Sequence, residues 1–208
     1  MTTARLDVLV HELRSPVAAL AAIAEAYPGA DDATRRRLVE LARSAVASLE
    51  GLLVAESAIT GSARFDVGAV ARDAAETAAL RGDHVVAETV PGLIVVGHPD
   101  RLRQALDNLI RNAIGHSAAS TPTTVGAWRR GHSVVIAVAD QGEGLDPDAL
   151  DRIFEAGVRL TDARPGSGLG LAVVREVALE HGGEVEVESS PGQGATFRLV
   201  LPGAFDAR

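Results

Sequence analysis

Asn108 and Asn112 are the only asparagines in this chain of 208 residues, and they stand four apart in DRLRQALDNLIRNAIGHS. On a helix, residues at i and i+4 share a face, so both carboxamides point the same way. An amide oxygen is a hard, neutral donor suited to Mg²⁺, which usually reaches a protein together with phosphates. Two polar residues on a wetted helix face would give the same spacing. All 20 basic residues are arginine. The chain therefore lacks the lysine of a P-loop, the strand lysine of a protein-kinase fold, and any Schiff-base amine. If it handles phosphates, it must do so with backbone N–H groups, arginine, amides and a metal.

Three glycine-bearing motifs follow the asparagines. In Asp140-Gln-Gly142-Glu-Gly144 an apolar run ends in a carboxylate. Such a carboxylate can accept a hydrogen bond from an adenine amino group, and the glycines let the backbone approach a flat ring. A turn leading into a helix capped by Asp146, with Pro147 at its first position, explains the same residues. In RPGSGLGL, Gly166, Gly168 and Gly170 open a helix, where free N–H groups and the dipole favour anions. The spacing is not that of a dinucleotide fingerprint, and a mobile connector is the plainer alternative. Ser190-Pro-Gly192-Gln-Gly194-Ala-Thr196 reads on its own as a hairpin turn. The order of these motifs is more specific than any one of them.

A separate chemistry sits near the N-terminus, in His11-Glu12-Leu13-Arg14-Ser15-Pro16. His11 lies off the stripe of Leu6, Val10, Leu13 and Val17, on a flank expected to face solvent. Imidazole near its pKa is a good nucleophile, and an adjacent carboxylate can orient the ring and take its proton. A surface histidine beside a helix kink is the bland counterpart. Pro16 in a helix interior costs roughly 3 kcal/mol and removes the hydrogen bond to the Glu12 carbonyl, so a bend is expected there.

These groups need elements to hold them. Residues 1–62 read as two helices joined near Tyr27-Pro28-Gly29, with Asp31 or Asp32 as N-cap and a near-heptad stripe through Leu38, Leu41, Ala45, Leu49 and Leu52. A hairpin of this size cannot cover its own apolar stripe, so a homodimeric four-helix bundle is expected. Thr60–Arg64 reads as a linker, and 63–208 as a second domain. There the pattern gives a helix from Phe65-Asp66 to about Arg81, strands at 84–90 and 93–96, and the asparagine helix from about Pro99 to Ser117. Further strands follow at 124–128 and 133–139, a helix at 168–181, and strands at 184–188 and 196–201. The expected class is α+β, with an α/β sandwich carrying a mixed, mostly antiparallel sheet. The net charge of −8 argues against nucleic acid or an anionic membrane as partner. No cysteine is present, which excludes thiol catalysis and Cys-ligated metals. No apolar run approaches a membrane span, so this segment is expected to make no membrane contact and to be cytoplasmic, on its own or as part of a membrane-anchored protein.

Together the motifs resemble those of two-component sensor histidine kinases with a dimerisation hairpin and an ATP-binding domain. HELRSP is similar to the family's H-box, DNLIRNA to its N-box, DQGEG and GSGLGL to its glycine boxes, RIFEAGVR to a reduced F-box, and PGQGATF to the last box. The likeness runs from about residue 5 to 202. It implies that His11 accepts the γ-phosphate of ATP, with Glu12 as general base or ring-orienting acceptor. It implies Asn112 as the Mg²⁺ ligand with Asn108 in support, and Asp140 reading the adenine amino group. Gly142 and Gly144 would shape the ring pocket, and Gly166, Gly168, Leu169 and Gly170 the phosphate-covering segment, with Thr196 nearby. The phosphoryl group would then pass to an aspartate of a response-regulator receiver domain. Three departures stand out. Gly115 occupies the position where the family usually has a basic residue; Arg159, with His116 second, is the expected substitute. Gly157 replaces a second F-box aromatic. Ser15 keeps only a hydroxyl where Thr or Asn often supports phosphatase activity. A serine kinase or ATPase on the same fold, and a degenerate nucleotide-binding scaffold, are the competing functions.

Overall fold

The structure is a computed structural model describing residues 3–57, 62–118, 120–150, 152–154 and 170–205. It forms two compact units, one holding the N-terminal helices and one every later element. In the first, helix α1 (Thr3–Ala26) continues through Pro16, a 3-10 turn (Tyr27–Gly29) reverses the chain, and α2 (Asp32–Ser57) packs back on α1. Asp31 is the residue that caps α2, accepting the Thr34 N–H at 2.8 Å. Chiefly through that bond, the Asp31 carboxyl is held below its ordinary range. The Arg35 guanidinium lies over the Tyr27 ring, 5.6 Å from its centroid. Val17, Val39, Leu41 and Val46 remain exposed on this hairpin.

The second unit starts with β1 (Ala63–Asp66), so Ala63 and Arg64, read from sequence as linker, are strand. Only four residues long and exposed at its start, β1 carries no alternation that would reveal it. It pairs antiparallel with β3 (Ile94–Gly97). Asp66 ends β1 and caps α3 (Val67–Leu80), accepting from Gly68 N–H at 2.8 Å and from Gly92 N–H at 2.9 Å. β2 (Val85–Thr89), α4 (Pro99–His116), β4 (Thr123–Arg130), β5 (Ser133–Ala139), α5 (Gly170–Glu180), β6 (Glu184–Ser189) and β7 (Ala195–Pro202) complete the unit.

The five-stranded sheet has the order β2-β4-β5-β7-β6, with β2–β4 parallel and the other pairs antiparallel. The parallel pair follows from chain path: β2 returns to the sheet only after β3 and the whole of α4. Alternation puts Val125, Ala127, Val134, Ile136, Val138, Phe197, Leu199 and Leu201 on the face covered by the helices, all buried. Helix α3 meets this layer through Ala71, Ala74, Ala75 and Ala78, and α4 through Leu102, Leu106, Leu109 and Ile110. On the opposite face Trp128 stands across from Val135, its ring against Gly126. There Arg130 grips Glu186 at 2.6 and 3.0 Å and holds the Glu186 carboxyl below its usual range.

Helix α4 is anchored at its N-terminal end. Arg101, 3% exposed, makes a two-point ion pair with Glu180 at the end of α5, at 2.6 and 2.8 Å. That pairing raises the guanidinium pKa further. Beside it, buried His181 lies with Nδ1 2.8 Å from the Val177 carbonyl and accepts the His98 N–H on Nε2 at 3.0 Å. A backbone N–H can only donate and a carbonyl only accept, so the two contacts match a ring that donates from Nδ1 and accepts on Nε2. A Cβ at Gly97 would overlap the ring.

Candidate functional site

Asp140 sits where β5 ends, 8% exposed. Its N–H donates to the Ala195 carbonyl at 2.9 Å, and its Oδ1 accepts from Gly142 N–H at 2.8 Å and Ala195 N–H at 3.3 Å. One carboxylate oxygen is thereby fixed by backbone, while Oδ2 has no hydrogen-bond partner among the described residues. An oriented, nearly buried acceptor of this kind suits a ligand amino group.

The glycines around it are required by contact. An added Cβ would collide with the His116 carbonyl at Gly142, with the Ser190 carbonyl at Gly144, and with the Asp140 carbonyl at Gly194. Gly144 and Gly194 also have φ of +69° and +73°. Gly192 N–H donates to Glu143 O at 2.7 Å. The stretch 140–144 and the β6–β7 turn, separate motifs in the sequence, are thus one backbone construction closed by the C-terminus of α4. The plain readings also hold: residues 190–194 are a hairpin turn, and Asp146 caps a single 3-10 turn (Pro147–Ala149). Ser189, which no motif flagged, ties the parts together. Its Oγ accepts from Leu145 N–H at 2.9 Å and donates to the Gly194 carbonyl at 2.7 Å. Thr196 is half-buried on β7, opposite Ala139 and next to the residue that bonds Asp140.

Asn108 and Asn112 are both half-buried on α4. Gly170 opens α5 directly against the Asn108 side chain, where a Cβ would lie 3.8 Å from Cγ. The Arg111 guanidinium donates to Asn108 Oδ1 at 3.2 Å. His116, in the last turn of α4, has Nδ1 3.2 Å from Glu143 Oε1. Gly115 is exposed, with nothing near the position of a Cβ. Among the described residues no cluster of three His, Cys, Asp or Glu side chains could hold a metal. A metal here would rest on amide and phosphate oxygens, a donor set that fits Mg²⁺.

The structure thus brings together Asp140, Gly142, Gly144 and His116, with Thr196 beside them, and it places Asn108 against Gly170. Arg159, Gly166, Gly168 and Leu169 lie outside the described residues, as do the side chains of His11, Glu12 and Ser15 on α1.

Residues 97–204, from the end of β3 to just past β7, match the family of histidine kinase-, DNA gyrase B- and HSP90-like ATPases. The sensor-like histidine kinase SenX3 of Mycobacterium tuberculosis is 37% identical over 229 residues, covering all of this chain and 56% of its own length. The signal transduction histidine-protein kinase AfsQ2 of Streptomyces coelicolor is 33% identical over 219 residues, 92% of this chain and 40% of its own. Among solved structures, full-length ShkA in complex with AMPPNP aligns with a TM-score of 0.71 at 29% identity, over all of this chain and 47% of that one. The mycobacterial sensor histidine kinase MprB aligns at 0.62 and 28%, over 68% of this chain and 97% of that one. This chain belongs to that ATPase family and, within it, to the sensor histidine kinases. It spans about half the length of the curated relatives it matches.

Proposed function

We propose that the chain is an ATP-dependent histidine kinase core. In this reading residues 63–208 hold ATP, His11 in the hairpin of residues 1–62 takes the phosphoryl group, and an aspartate of a response regulator receives it. The observation that carries the nucleotide assignment is the Asp140 carboxylate, fixed through Oδ1 and open at Oδ2 for the adenine amino group. Gly142 and Gly144 let the loop beside Asp140 close onto the His116 and Ser190 carbonyls, and Thr196 stands at the same strand end. Asn112 would hold the Mg²⁺, with Asn108 in support, and the role of Gly166, Gly168, Leu169 and Gly170 would be to cover the phosphates. Bound Mg²⁺ would neutralise developing charge between the β- and γ-phosphates.

In the chemical step a His11 ring nitrogen attacks the γ-phosphorus. A P–N bond forms as the P–O bond to the β-phosphate breaks, ADP leaves, and Glu12 takes the ring proton. Ser15 supplies a hydroxyl one turn further on for the later hydrolysis of the regulator's acyl phosphate. Arg159 and His116 are the basic residues proposed near the phosphates. The functional unit is a homodimer through the hairpin, and this segment lies in the cytoplasm. No described helix is long and apolar enough to cross a membrane.

The test is incubation with γ-labelled ATP. Label that is acid-labile, absent from His11→Gln and transferable to a receiver domain is expected. Acid-stable label, or label retained by His11→Gln, would move the assignment to a serine kinase or another acceptor. Loss of ATP binding in Asp140→Ala checks the adenine contact independently.

A further inference from the structure

A triphosphate entering this site meets a chain of net charge −8, with Asp140 and Glu143 on the adjoining loop. It needs a cation, and Gly115 offers none. Helix α4 carries three arginines. Arg101 is bound by Glu180, and Arg103 by Asp73 and by Asp107 at 3.1 Å. Arg111 differs: its acceptor is the neutral Asn108 Oδ1, and no carboxylate pairs with it among the described residues. It lies one turn before Gly115 on the same face of the helix. The space that a side chain at 115 would cover therefore adjoins it, because helical side chains lean toward the N-terminus. The N-terminus of α5, which also favours anions, begins at Gly170 against the same Asn108.

We propose that Arg111 makes the basic contact to the nucleotide's phosphates that Gly115 cannot, and that Asn108 is the positioning residue that holds this guanidinium. The inference rests on the ATP-binding reading above. It divides the asparagine pair, with Asn112 facing the metal and Asn108 orienting an arginine. An acceptor on Asn108 Oδ1 already engaged by a cation is a poor ligand for a second cation, and a guanidinium fork matches phosphate oxygens.

Calorimetry of ATP and AMP binding, with and without Mg²⁺, tests it. Arg111→Gln is expected to lose about tenfold or more in ATP affinity with AMP affinity unchanged, the size expected for a charge-assisted contact. Arg111→Lys should keep part of the affinity, and Gly115→Arg in the Arg111→Gln background should restore most of it. Asn108→Ala should weaken ATP in chelator as much as in Mg²⁺, and should add little to Arg111→Gln. Wild-type ATP affinity in Arg111→Gln would overturn the assignment of Arg111. A loss in Asn108→Ala confined to Mg²⁺ would return Asn108 to the metal. A wild-type chain that binds neither nucleotide would defeat the ATP reading itself, which is a separate failure.

Discussion

At the scale of single residues, the site depends on where side chains are absent. Gly194 and Gly115 make the contrast testable. Gly194→Ala places a methyl group against the Asp140 carbonyl at positive φ and is expected to cost about 1–3 kcal/mol or more. Gly115→Ala, in open space on α4, should raise stability by up to about 1 kcal/mol. Thermal denaturation of the two variants reads both signs. Ser189→Ala should cost about 1–3 kcal/mol by stripping the acceptor from Leu145 N–H, and should weaken nucleotide binding because the loops at Asp140 lose their tie. The glycines were legible from sequence because spacing alone marked them. Ser189, Arg101 and His181 were not, since each acts through a partner distant in sequence, and no periodicity records which serine or histidine will meet which carbonyl.

At the scale of elements, α4 was the most legible part of the fold. Its apolar positions recur at helical spacing, Pro99 opens it, and the expected span of 99–117 differs from the observed one by a single residue. The four-residue β1 escaped notice for want of pattern, and the parallel partner of β2 is set by the path of the chain. The sequence also did not disclose that α4 and α5 are clamped at the end away from Asn108. Glu180→Ala leaves the buried Arg101 guanidinium with Glu176 at 3.4 Å as its remaining carboxylate, beside the neutral Gln104 Oε1 at 2.7 Å. It should cost about 2–3 kcal/mol in denaturant titration, less than fully buried pairs because Glu180 is about one-third exposed. The cap of α2 carries a pH signature. The Thr34 N–H holds the folded-state pKa of Asp31 below its ordinary 3.8. Its stabilisation is therefore complete above that value and is lost as pH falls through the folded-state pKa. The hairpin of Asp31→Asn should lack this acid-side loss when helicity is followed against pH.

At the scale of the molecule, the two units pose different stability problems. The second has a closed core, whereas the hairpin leaves Val17 at 53% and Leu41 at 56% exposed. An apolar surface of this kind is expected to be covered by a second copy, so Leu41→Glu should shift sedimentation from dimer toward monomer without altering nucleotide affinity. The chain has one tyrosine and one tryptophan. Tyr27 stands in the turn between α1 and α2, and Trp128 on the sheet of the other unit. Each unit therefore carries its own optical reporter. Emission excited at the red edge follows the sheet alone, and the tyrosine signal follows the hairpin, so the order in which the two units melt can be read from a single unlabelled sample.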